Sequence, residues 1–195
     1  MAKRIKDNGM NLKKIIIAVT GASGAIYARK LLEALRDVPN LEQIAVVVSS
    51  NGKAVAEYEK EEVPATAGRI VRFDNDDMFA PPASGSARYD AMVIVPCSMG
   101  TAGRIAAGTS QDLIGRAADV MLKERRRLIL AVRETPLSTI HLRNLTTISE
   151  CGGIILPASP SFYSHPACIE ELCGTVTARI LDLLGIENDS NRWGE

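Results

Sequence analysis

The chain carries no net charge, because 23 lysines and arginines offset 23 aspartates and glutamates over 195 residues. Nothing global therefore recruits nucleic acid or an anionic membrane, and any basic work must be local. A charge sum near zero also makes self-association easier than usual. Histidine is nearly missing: only His141 and His165 occur, which argues against a histidine-built metal site. Four cysteines, Cys97, Cys151, Cys168 and Cys173, lack any paired CxxC metal spacing. With no signal peptide, reduced thiols in a cytoplasm are the default expectation. No apolar run is long enough to span a bilayer. The chain also lacks GxGxxG, internal repeats and low-complexity segments.

What is present is an ordinary globular balance, 46% hydrophobic and 24% charged. Residues 1–12 are polar and of mixed charge, and read as a flexible leader before one domain over 13–195. Strand patterns fall at Lys14–Thr20, Ile44–Val48, Ile70–Arg72, Ala91–Val95, Leu128–Val132 and Ile154–Leu156. Helical patterns alternate with them: one through Ala34–Arg36, one carrying Glu57, Glu59 and Glu61, one reaching Lys123, one over Ser138–Ser149 and one ending near Leu184. The strands are β-branched and almost wholly apolar, as suits strands covered on both faces. The alternation predicts an α/β fold, a Rossmann-like three-layer α/β/α sandwich with a mostly parallel sheet. In such sheets ligands bind beyond the carboxyl ends of the strands. The unusual segments sit there: Gly21–Gly24, Ser49–Gly52, Pro96–Thr101, Arg133–Pro136 and Pro157–Pro166.

Gly21-Ala22-Ser23-Gly24 follows a strand and opens a helix, so its amides and the Ser23 hydroxyl can meet an anion or a flavin edge. A tight turn with Ser23 as N-cap accounts for it equally well. Ser98-Met99-Gly100-Thr101 repeats the design and suits a mononucleotide phosphate without a cation. Cys97 has no nearby histidine and reads as a small buried side chain. Arg116 and Lys123 project from one face of a helix, whereas Arg125, Arg126 and Arg127 read as its solvated end. Arg133-Glu134, directly after a buried strand, favours a functional role. Tyr163 lies in a Pro- and Ser-rich loop that looks held open for a ligand, and position alone does not decide Arg179 or Glu59. His165 reads as structural or exposed rather than catalytic.

The blocks TGASGA, APPASGS, PCSMGT, RAADVxLKERRxL, RETPLSxIHLxN, SPSFY and RWGE, in order from about Lys14 to Glu195, resemble the UbiX-type flavin prenyltransferases. The resemblance implies that Gly21, Ala22, Ser23, Ser49, Ser98, Met99, Gly100, Thr101 and Arg133 contact FMN. It implies a dimethylallyl phosphate site at Tyr163 and Arg179, helped by Lys123 and Arg116, with Ser23, Glu59, Lys123 and Glu134 in catalytic roles. The implied reaction joins the dimethylallyl group to N5 and C6 of reduced FMN without a metal, and the prenylated product passes to a UbiD-type decarboxylase. Ubiquinone biosynthesis and aromatic-acid decarboxylation are both compatible destinations. Family members form dodecamers with shared active sites. One departure is Met78, followed by Phe79, where some members carry a tryptophan before Ala-Pro-Pro. Two rivals are a related cysteine-decarboxylase group, which uses a histidine near the second helix and a PASANT motif, and a flavin carrier that makes no bonds. The second helix here has no histidine and PCSMGT replaces PASANT.

Overall fold

A computed structural model describes residues 12–190 and Gly194. The expected leader and most of the RWGE block lie outside the described residues. Of the leader only Leu12 is described, and it is 3% exposed and packed in the core.

Six strands form one parallel sheet: β1 (Lys14–Val19), β2 (Gln43–Val48), β3 (Ile70–Phe73), β4 (Ala91–Cys97), β5 (Arg127–Val132) and β6 (Ile154–Pro157), in the order β3-β2-β1-β4-β5-β6. The helices are α1 (Ala25–Arg36), α2 (Ser50–Glu59), α3 (Met99–Ala106), α4 (Leu113–Lys123), α5 (Thr139–Glu150) and α6 (Ile169–Leu184). Side chains alternate between the faces of a strand. Ile15, Ile17 and Val19 therefore pack with α1 and α6, while Ile16 and Ala18 pack with α3, α4 and α5. That double burial is why the strands read as continuous apolar runs.

Helix α1 is held by packing more than by charge. Leu31, Leu32 and Leu35 are fully buried, each contributing about 1.5–3 kcal/mol. Its exposed Arg29–Glu33 pair adds roughly 0.3–0.5 kcal/mol. The strand order reverses between β1 and β4, so the crevice between their carboxyl ends is the expected ligand position.

Three details depart from the sequence reading. Helix α2 stops at Glu59, where Lys60 takes a left-handed conformation, so Glu61 lies beyond it. The segment 74–86 is irregular as expected but contains 3₁₀ turns at Pro81–Ala83 and Gly85–Ala87. Arg126 and Arg127 are half-buried rather than solvated. Arg126 donates to the Tyr89 and Gly85 carbonyls at 3.2 and 2.9 Å, and Arg127 opens β5 and donates to the Leu183 carbonyl at 2.5 Å. Carbonyls withdrawn from water gain from a long donor that can reach them.

Candidate active site

Thr20, only 2% exposed, stitches the switch point together. Its hydroxyl donates to the Pro96 carbonyl at 2.8 Å and accepts from the Ser98 amide at 2.9 Å. The ends of β1 and β4 are thereby fixed side by side. Sequence reading did not single Thr20 out; a threonine closing an otherwise apolar strand was the available signal.

The turn after β1 is set by close approach. Gly24 has φ 109°, and a Cβ there would sit 2.8 Å from the Tyr27 ring. A Cβ on Gly21 would meet the Asn51 Cβ at 2.5 Å, so the turn presses against the start of α2. Gly24 is the N-cap of α1 and makes no side-chain cap, so Ser23 does not fill that role. Glu59 fills it from another helix. Its carboxylate accepts from the Gly24 amide at 2.9 and 3.0 Å and from the Ala25 amide at 2.8 Å. Burial alone would raise the Glu59 pKa, but hydrogen bonds from Ser23, Ala25 and Gly24 and the Arg133 charge outweigh it. The net shift is downward, which keeps Glu59 ionised at the positive end of α1. Ser23, Glu59 and Arg133 thus converge.

Ser49 caps α2, accepting from the Gly52 amide at 3.0 Å. Ser98 caps α3, accepting from the Thr101 amide at 3.3 Å and sharing a hydrogen bond with the Thr101 hydroxyl at 3.1 Å. Arg104 reaches back from the next turn and donates to Thr101 Oγ1 at 3.3 Å. Met99 is buried beneath this turn and Gly100 is exposed above it. Cys97 is fully buried, and burial pushes its thiol up to about 12, so it is no nucleophile.

Tyr163 and Arg179 line one cavity of about 1150 Å³ between the segment after β6, α6 and α1. Tyr163 is 72% exposed, and the Arg179 side chain is 61% exposed with Asp182 at 3.7 Å. Among the described residues the cavity wall also carries Lys30, Glu171, Asp182 and Asp189. Arg116 and Lys123 are not among its lining residues. Arg116 bonds the Ala83 carbonyl at 3.1 Å and Asp119 at 2.8 Å, while Lys123 pairs with Glu124 at 2.7 Å. Glu134 is exposed and accepts from the Thr135 amide at 3.0 Å. Met78 is 38% exposed and Phe79 wholly so. Among the described residues no group of three His, Cys, Asp or Glu side chains is arranged to hold a metal ion. No described helix is long and apolar enough to cross a membrane.

A family model described as Flavoprotein matches residues 4–182. A flavin prenyltransferase UbiX of Methanocaldococcus jannaschii is 43% identical over 187 residues, covering 93% of this chain and 98% of that protein. The chain belongs to the UbiX-type flavin prenyltransferase family. Among solved structures, AnUbiX (PadA1) in complex with FMN and dimethylallyl pyrophosphate has a TM-score of 0.87 at 43% identity, covering 94% of this chain and 98% of that one. A dodecameric FMN-dependent UbiX-like decarboxylase from Escherichia coli O157:H7 has a TM-score of 0.85 at 41% identity, covering 93% and 100%.

The site's donors fit FMN. The turns that open α1, α2 and α3 lie at the carboxyl ends of β1, β2 and β4, so three positive helix ends face the same edge of the sheet. Hydroxyls at Ser23, Ser49, Ser98 and Thr101 and the Arg133 guanidinium complete a set suited to a polar ring edge and a phosphate.

Proposed function

We propose that this chain joins the dimethylallyl group of dimethylallyl phosphate to N5 and C6 of reduced FMN, giving prenylated FMN for a UbiD-type decarboxylase. The observation that carries the reading is the close likeness, over 94% of the chain, to a structure holding FMN and a dimethylallyl ester. Gly21, Ala22, Ser23, Ser49, Ser98, Met99, Gly100, Thr101 and Arg133 would hold FMN. When bound and reduced, FMN supplies the nucleophilic ring atoms.

The chain's own residues do the rest. Ser23 and Glu59, linked by a hydrogen bond, hold and move the proton at N5. The allylic C–O bond breaks with its electron pair leaving on phosphate. Tyr163 and Arg179 donate to the oxygens on which that charge grows. Arg116 and Lys123, which do not line the cavity of their own chain, would reach the phosphate from a neighbouring copy in a dodecamer, with Glu134 beside it. A dry pocket shields the allylic centre from water. Residues 13–195 act as one flavoprotein domain in the cytoplasm.

Anaerobic incubation with reduced FMN and dimethylallyl phosphate, followed by mass spectrometry of the released flavin, tests the reading. The expected product is heavier by one five-carbon unit. Unmodified flavin from folded, flavin-loaded protein overturns it and favours a carrier. Running the diphosphate alongside measures how strictly the monophosphate is preferred.

A further inference from the structure

We propose that Arg104 is the cation that reads the phosphate of the flavin nucleotide and so makes the protein prefer FMN to riboflavin. The proposal rests on the reading that the Ser98–Thr101 turn holds that phosphate, and adds to it a residue outside the motif.

Side chains on a helix lean toward its N-terminus. Arg104 follows that rule within α3 and folds back over the first turn. One guanidinium nitrogen donates to Thr101 Oγ1 at 3.3 Å, and the other stands 3.8 Å from where a Cβ on Gly100 would lie. Arginine, threonine and serine thus form a continuous chain of polar groups, since Thr101 Oγ1 is 3.1 Å from Ser98 Oγ. The absence of a side chain at Gly100, which is exposed, leaves the guanidinium and the turn open to the same volume.

The charge on Arg104 is unspent. Arg29, Arg116, Arg126 and Arg179 each have a carboxylate within ion-pair distance. Among the described residues none stands so close to Arg104. Its charge is felt by Cys97 beneath the turn, where it opposes the upward push of burial on the thiol. Arg133, the other cation near the crevice, acts on Glu59 and Tyr27 at the β1 side instead. A half-buried guanidinium with no carboxylate beside it, above two hydroxyls at a helix start, is suited to a phosphate dianion, which takes charge-assisted hydrogen bonds from a planar fork. Riboflavin lacks that phosphate and gains nothing from it.

The test is equilibrium binding of FMN and of riboflavin to the purified full chain, R104A and R104K, followed by flavin fluorescence. R104A is expected to weaken FMN binding by about tenfold to a hundredfold, the span of a hydrogen bond to a charged group. Riboflavin binding should be unchanged, and R104K should recover part of the FMN loss. Equal weakening of both ligands would mean that Arg104 only supports the turn, and unchanged FMN binding would remove it from the site. Either result overturns the proposal while leaving the prenyltransferase reading intact. Failure of the unaltered chain to bind FMN at all would instead defeat both. Should R104A not fold, R104Q puts the same question with the side-chain length nearly kept.

Discussion

The two walls of the proposed site are built differently. On the flavin side, at the ends of β1, β2 and β4, the functional groups already have partners within the fold. Glu59 holds the Gly24 and Ala25 amides, Ser49 and Ser98 cap their helices, and Thr20 joins the strand ends. On the prenyl side, Tyr163 and Arg179 are largely exposed on the edge of a wide cavity. The flavin wall is preorganised by one chain, as electrostatic catalysis requires. The proposed prenyl wall, by contrast, lacks Arg116 and Lys123, which are held elsewhere on the same chain.

The largest expected effect falls on the flavin wall. Glu59→Gln keeps the shape and one acceptor oxygen but removes the charge and the proton acceptor, so prenyl transfer should slow by about a hundredfold or more. FMN affinity, measured by fluorescence titration, should change little; a large loss there would mean that Glu59 only holds the turn. Next comes Gly52→Ala, whose Cβ would lie 2.5 Å from the Val19 carbonyl oxygen. Overpacking at this junction should cost about 1–3 kcal/mol in urea unfolding. No measurable change would mean that the flavin wall is less rigid than described.

Arg179→Ala probes the other wall. It should raise KM for dimethylallyl phosphate by roughly tenfold, as for loss of one charged hydrogen bond, with FMN affinity and thermal stability unaltered. Unchanged kinetics would take Arg179 out of the site. The smallest effect concerns acid stability. Glu59 has a pKa below its ordinary 4.5 in the folded chain. Its contribution is therefore present above the unfolded value and lost as pH falls through the folded one. Urea titrations at descending pH should show a shallower acid loss in Glu59→Gln than in the unaltered chain. Parallel curves would contradict the network around that carboxylate.

Much of the layout was legible in the residue order. Val19, Val48, Cys97 and Val132 each end an apolar run before a glycine, hydroxyl or charge, and all these breaks fall at one edge of the sheet. Side-chain roles were harder to read. Glu57, Glu59 and Glu61 look alike in sequence, yet only Glu59 meets the α1 amides, because α2 ends there and turns away. Arg126 and Arg127 looked like a solvated helix end, and their partners are carbonyls far along the chain. Arg104 carried no motif at all, and its place over Thr101 appears only once α3 is coiled.

The order of apolar and polar residues by itself determined the alternating elements, the doubly covered parallel strands and the family, since periodicity and contiguous motifs are local properties of a chain. Which carboxylate seals a helix start, which arginines are spent on ion pairs, and the placing of Arg116 and Lys123 away from the cavity were decided only by tertiary structure. Those outcomes depend on distances between segments remote in sequence, and an electrostatic or hydrogen-bonded contact is made or lost over an ångström or two.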